Sequence, residues 1–439
     1  MGTIVGIIAA GIISFVVAWY FWKKRPPHIN EDANKIDLID KNVVAISKEL
    51  KDIKVYLDGL PKSTDPVRIP FEEGIESIRE YKWDKAIGYF RDALKEAKKN
   101  ELVALFSLIG ICYHLIGKLS QALENYEESV RLAIIFADHR GNAIGLGNIG
   151  LIYEIKGELD TALKYYEDAL KIERKYGIRQ GEASQLGNIG SIYQTKGKLD
   201  TALKYYEDAL KIHRKVGNRE GDADQLGNIG LIYQTKGELV TALKYYEDAL
   251  KIDRKDGRRQ GEASQMGNIG SIYRIKGELD IALKYFEDAL KIFREISIRQ
   301  GEANQLGNIG LVYRIKGEFD IALKCFEDAL MIFREIGDRE GEANLTGDIG
   351  LIYRTKGEFD TALKHHEDAL KIHREIGNRG GEAIALGNIG LTYEAKNEHK
   401  KALDYLSNAY EVFVKIGLNK EIEITLQHIE RNKSELGQK

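Results

Sequence analysis

A block of forty residues recurs almost letter for letter from about residue 143 to 382. The stretch 181–220 reads GEASQLGNIGSIYQTKGKLDTALKYYEDALKIHRKVGNRE, and 221–260 follows with GDADQLGNIGLIYQTKGELVTALKYYEDALKIDRKDGRRQ. Similar text returns at 261, 301 and 341. Self-similarity at a fixed period of this size specifies a solenoid, because one unit alone cannot bury its apolar face and stacked neighbours bury it for each other.

Each unit reads as two helices. In the unit 183–222, residues 183–196 carry Leu186, Ile189, Ile192 and Tyr193 at helical spacing, and Gly197 then stops the helix. Leu199, Ala202, Leu203, Tyr206, Ala209, Leu210 and Ile212 make a second stripe, and Gly217 and Gly221 are expected to punctuate the return. Gly190, Ala202 and Ala209 are expected where the two helices cross, since larger side chains there would overpack the crossing by about 1–3 kcal/mol. A glycine inside a helix costs about 1 kcal/mol relative to alanine, so its recurrence implies a close approach.

The spaced set Ile189-Gly190, Tyr193, Gly197, Ala202, Tyr206 and Ala209 resembles the tetratricopeptide repeat (TPR) family. The forty-residue length is similar to the long-helix subgroup of kinesin light chains and Pins-type polarity adaptors. The resemblance implies an all-α, right-handed superhelical solenoid. Nine helix-turn-helix units are expected, starting near 67, 103, 143, 183, 223, 263, 303, 343 and 383. The outer units depart from the pattern: Ser77 stands in the tyrosine place, Leu108 where Asn is usual, and Asn397 and Leu406 replace the turn glycine and the aromatic. The organisation expected is an anchor at 1–27, a stalk and linker at 28–65, the solenoid at 66–418 and a capping helix at 419–439.

Residues 3–22, TIVGIIAAGIISFVVAWYFW, hold no charge and are long enough as a helix to cross a bilayer. Trp19, Tyr20 and Trp22 sit at one end, followed by Lys23, Lys24 and Arg25, which predicts a single-pass span in the cell membrane with the repeats on the cytosolic side. No small-residue cleavage site follows, so the stretch reads as an anchor rather than a signal peptide. Beyond Pro26 and Pro27, apolar residues Ile36, Ile39, Val43, Ile46, Leu50, Ile53, Leu57 and Leu60 alternate at three and four. This heptad seam over 36–60 predicts either a homo-oligomeric stalk or an amphipathic helix packed on the first repeat.

The formal net charge of −3 gives no overall basic character and argues against a nucleic-acid partner. Cys112 and Cys325 lie too many repeats apart to bridge within one rigid solenoid. There is no phosphate-binding loop, dinucleotide fingerprint, HExxH or CxxC, so neither catalysis nor a cofactor is expected. His365, His366 and His373 are read as structural rather than metal-binding, with His366 half-buried in the place of the packed aromatic.

Binding is therefore expected on the concave groove, which the resemblance assigns to the first helix of each unit. In the fourth unit the groove set is Ser184, Gly187, Asn188, Ser191, Gln194 and Thr195. Asn148, Asn188, Asn228, Asn268, Asn308 and Asn388 recur at one place, with Asp348 as the exception. An amide both donates and accepts, and the resemblance implies that these Asn contact an extended peptide. The glycine before each, Gly147 through Gly387, would let a ligand backbone approach. Another position runs Glu154, Gln194, Gln234, Arg274, Arg314, Arg354, Glu394. The three arginines predict an acidic or phosphorylated segment, unless neighbouring acids pair with them. The reading is a membrane-anchored scaffold for protein or peptide partners. Its alternatives are a self-assembling structural scaffold and a regulatory subunit of a membrane-associated enzyme complex.

Overall fold

The computed structural model describes residues 65–79 and 82–437. The apolar stretch 3–22 and the seam 36–60 lie outside the described residues. Among those described, no helix is long and apolar enough to cross a membrane.

The described residues form nineteen helices and no strand. Eighteen of them form nine successive hairpins: α1 and α2 (Asp65–Arg79, Trp83–Leu94), α3 and α4 (Asn100–Leu115, Leu119–Ile135), α5 and α6 (His139–Ile155, Leu159–Tyr176), α7 and α8 (Arg179–Thr195, Leu199–Val216), α9 and α10 (Arg219–Thr235, Leu239–Lys255), α11 and α12 (Arg259–Ile275, Leu279–Ile296), α13 and α14 (Arg299–Lys316, Phe319–Ile336), α15 and α16 (Arg339–Thr355, Phe359–Glu375), and α17 and α18 (Arg379–Ala395, His399–Ile416). A last helix, α19 (Asn419–Glu435), packs on α18 and α17. The chain is a helical-repeat solenoid.

Glycine sets the turn within each hairpin. Gly197 has φ +70, its N–H bonds the Gln194 carbonyl at 2.9 Å, and Lys198 N–H bonds the Tyr193 carbonyl at 2.9 Å, which satisfies carbonyls that the end of α7 would otherwise leave unpaired. In the ninth hairpin Asn397 adopts the same region, φ +59. The return to the next hairpin is shorter than the sequence implies. Gly217 is left-handed as expected (φ +72), but Gly221 lies inside α9 rather than in a loop. The first helix of each central unit begins about four residues earlier than its apolar stripe. Asn218 explains this at α9: its side chain accepts from the Gly221 N–H at 3.0 Å and so caps the helix. Asp138, Asn378 and Asp338 do the same at α5, α17 and α15.

Two layers of close packing hold the repeats. Within a hairpin, a Cβ on Gly190 would lie 2.6 Å from the ring of Tyr206, and the Ala202 and Ala209 side chains are fully buried beside it. Tyr193 and Tyr205 stack across the same hairpin with centroids 5.5 Å apart. Between hairpins, a Cβ on Gly221 would lie 2.4 Å from His213, so this glycine seats a side chain of the preceding helix. Glu173 and Asp253 meet Gly181 and Gly261 in the same way, whereas further along Phe293, Phe333 and His373 meet Gly301, Gly341 and Gly381. Charged clamps reinforce these joints. Glu182 accepts from Arg174 at 3.0 Å and Arg179 at 2.7 Å, and Glu382 from Arg374 at 2.8 Å and Arg379 at 2.7 Å.

The described residues divide into two compact units. The first holds 65–272 and 295–297, and the second holds 273–294 and 298–437. Each has continuous apolar cores, around Phe90, Tyr126, Tyr166 and Tyr206 in the first and around Phe286, Phe326 and Phe333 in the second.

Candidate functional site

In the first unit the asparagine ladder packs against its own chain, with Asn148 Nδ2 buried and without a hydrogen-bond partner among the described residues. Asn148 is only 5% exposed, so it sits among packed side chains rather than on an open surface. Asn188 and Asn228 are half-buried. Asn188 Nδ2 lies 3.5 Å from Gln185 Oε1, and Asn268 Nδ2 lies 3.4 Å from Gln265 Oε1. These glutamines were not among the residues the sequence singled out, though Gln recurs three places before Asn as Gln185, Gln225, Gln265 and Gln305. They fill the space that the groove glycines leave. A Cβ on Gly147, Gly187 or Gly227 would lie 3.0, 3.2 or 3.0 Å from the amide of Gln185, Gln225 or Gln265. The expectation that these glycines admit a ligand backbone is thus corrected for the first unit: the next repeat's amide already occupies the gap.

The second unit differs. Leu345 and Ala385 replace the glutamine. A Cβ on Gly307 would make ordinary contact with Leu345 at 3.5 Å, and among the described residues one on Gly347 or Gly387 would meet nothing within 4 Å. Asn308, Asp348 and Asn388 beside them are half-buried.

The variable groove position is tied to the aromatic twelve residues downstream. Tyr166 hydroxyl donates to Glu154 at 2.7 Å, Tyr206 to Gln194 at 2.8 Å and Tyr246 to Gln234 at 2.9 Å. Burial pushes the Glu154 carboxyl up, partly offset by the hydroxyls of Tyr166 and Ser191. Where the position becomes Arg274, Arg314 and Arg354, the aromatic becomes Phe286, Phe326 and His366. Arginine has no acceptor to offer a hydroxyl, and the hydroxyl is lost. Sequence reasoning missed this pairing, although its signal, a constant offset of twelve residues, was present.

The three arginines belong to the second unit and are weakly compensated. Arg314 Nη2 and Asp348 Oδ1 are 4.0 Å apart, at 32% and 25% side-chain exposure. Arg274 Nε, Arg314 Nε and Arg354 Nη1 are buried and have no hydrogen-bond partner among the described residues. Burial and the charge of Arg314 hold the guanidinium groups of Arg274 and Arg354 below their ordinary range. Burial pushes the Asp348 carboxyl up, against the pull of Arg314 and Arg274. Glu394, the next in the series, is already engaged. It accepts from Asn432 at 2.6 Å, from His428 Nδ1 at 3.1 Å and from Arg431 at 3.2 Å, all on α19. Beside it an open cleft of 530 Å³ is lined by Arg354, Thr355, Leu391, Glu394, Ala395 and His428.

The histidines behave as side chains of the packing. His366 is fully buried rather than half-buried, and a Cβ on Gly350 would lie 2.6 Å from its ring. Burial lowers its pKa to about 3. His365 stacks on Tyr353 at 5.4 Å, and His373 is buried over Gly381. No group of three or more metal-ligating side chains occurs among the described residues. Cys112 and Cys325 are both free thiols.

A family profile for the tetratricopeptide repeat matches residues 101–175, 181–255, 262–335, 302–375 and 341–413. The chain belongs to the tetratricopeptide repeat family. No curated protein sequence matches this TPR chain. Among solved structures it is similar to the apo form of the quorum sensor NprR from B. thuringiensis, with 15% identity over 79% of this chain and 98% of that one, at a TM-score of 0.57. A Rap protein complexed with competence and sporulation factor aligns at 15% identity over 84% and 98%, TM-score 0.53. A STAND signal-transduction ATPase with a tetratricopeptide repeat sensor from Pyrococcus horikoshii aligns at 15% over 90% and 66%, also at 0.53. At these identities the likeness is one of fold.

Proposed function

We propose that this TPR protein is a non-catalytic, membrane-anchored scaffold that holds an extended acidic segment of a protein partner on the second unit. The observation that carries the reading is the Tyr-to-Phe/His exchange beneath Arg274, Arg314 and Arg354. In the first unit the groove residue is spent on an internal hydrogen bond, whereas these guanidinium groups keep buried donors without partners, with Asp348 4.0 Å from Arg314 and Glu394, already held by α19, beside Arg354. Unpaired buried donors are costly, and a carboxylate satisfies two at once on an arginine fork. Asn308 and Asn388 add amides that pair with a main chain. A Rap protein of this fold was solved with competence and sporulation factor bound, which supports the use of such a solenoid to hold a partner.

Residues 3–22 supply the anchor in this reading, Lys23, Lys24 and Arg25 place the repeats in the cytosol, and 36–60 joins copies into an oligomer. Charge reversal by Arg314→Glu abolishes capture of the acidic partner from native membranes; unchanged capture overturns the reading. Resistance of the full chain to alkaline carbonate extraction, lost on deletion of 3–22, tests the anchor separately.

A further inference from the structure

The groove glycines recur through the whole array, yet the protein uses them differently in its two units. Glycine in a helix interior is less favourable than alanine. At Gly147, Gly187 and Gly227 that cost has a visible return, because the amide of the next repeat's glutamine fills the space. At Gly347 and Gly387 no described residue comes within 4 Å of where a Cβ would be. The gap over Gly347 follows from one departure: Ala385 stands where Gln185, Gln225 and Gln265 stand.

Both glycines lie on the charged side of the second unit. One and two turns on along α15 come Leu351 and the pair Arg354–Thr355, and along α17 come Leu391 and the pair Glu394–Ala395. Arg354, Thr355, Leu391, Glu394 and Ala395 line the cleft. Arg314 and Arg354 bring buried donors without partners to the same side, with Asp348 as the nearby carboxylate of Arg314. A bare helix surface beside cations that Asp348 and the α19-bound Glu394 compensate only weakly suits a ligand that carries negative charge and must bring its own backbone close.

We infer that Gly347 and Gly387 are the floor on which the main chain of an extended acidic partner segment lies, and that Ala385 opens this floor. The inference rests on the acidic-segment reading given above and adds its point of closest approach. The repeats themselves supply a compatible closing residue. Ala385→Gln places over Gly347 the same amide that covers Gly147, and Gly347→Ala adds a methyl group to open space in a helix that alanine favours.

The test is fluorescence anisotropy of a labelled peptide of alternating Glu and Ala with the full chain in detergent. Both Ala385→Gln and Gly347→Ala are expected to weaken binding about tenfold or more, with helical content and melting midpoint no lower than those of the parent. The Arg314→Gln, Arg354→Gln double variant is expected to lose binding. If the arginine variant loses the peptide while Ala385→Gln and Gly347→Ala bind as the parent does, the glycine floor is wrong and the acidic-segment reading stands. If the arginine variant keeps the peptide, or the parent never binds it, the acidic-segment reading fails and takes the floor with it.

Discussion

Tyr206 and Phe326 occupy the same place in two hairpins and differ by one hydroxyl. That atom decides whether the groove residue twelve positions earlier is held by an internal hydrogen bond. Tyr206→Phe leaves Gln194 Oε1 without its 2.8 Å donor, and a loss of about 0.5–1.5 kcal/mol is expected. The reverse change, Phe326→Tyr, buries a hydroxyl whose oxygen can accept from Arg314 but whose O–H gains no acceptor from it, and a loss of about 1 kcal/mol is expected. Urea unfolding of the two variants checks both values. A second test at this scale concerns Asp253, which is 1% exposed. It accepts from Arg258 at 2.8 Å and feels Asp224, Asp256 and Glu220, while burial pushes its carboxyl up to about 6. A carboxyl raised above its unfolded value of about 3.9 opposes folding once ionised, so its cost grows between roughly pH 4 and pH 6 and then stays constant. Asp253→Asn is therefore expected to raise the melting midpoint at neutral pH, with the gain shrinking as pH falls through that window. A gain that persists unchanged at pH 4 contradicts this assignment.

At the scale of the hairpin, the sequence made some glycines legible and others not. Gly197 and Gly217 follow the end of an apolar stripe, and both adopt the left-handed conformation that ends a helix. Gly221 looks the same in sequence but seats His213 inside α9. A glycine that turns the chain and one that admits a neighbour's side chain give the same letter, and only the next repeat's position separates them. The early start of the first helix was hidden for a related reason. Its first turn carries no apolar stripe and is fixed by a cap such as Asn218. The two kinds of packing glycine also predict opposite signs. Gly221→Ala meets the His213 ring at 2.4 Å and is expected to destabilise by about 1–3 kcal/mol. Gly347→Ala meets nothing and is expected to stabilise by up to about 1 kcal/mol. Thermal unfolding of the pair reads both signs directly.

Over the whole molecule, periodicity alone carried the all-α repeat architecture, because every unit repeats the same apolar stripes and turn glycines. The candidate site was less legible. The arginine run could be read from the letters, but its weak compensation could not, since that depends on where Asp348 and Glu394 fall and on α19 claiming Glu394 with His428, Arg431 and Asn432. Near-identical repeats leave only their few departures to mark the proposed site, here Phe286, Phe326, His366, Asp348, Leu345 and Ala385. The same uniformity has a mechanical side. Each hairpin of the second unit from α13 onward is fastened to the next by one kind of arginine–glutamate clamp, seen at Glu342 and Glu382. A pull along the chain loads these equivalent fasteners in series. Such a unit yields hairpin by hairpin, each release lengthening the tether by a similar step of up to roughly 130 Å, so that it behaves as an extensible strap, and in the proposed reading a segment lying across α15 and α17 is shed when that stretch gives way.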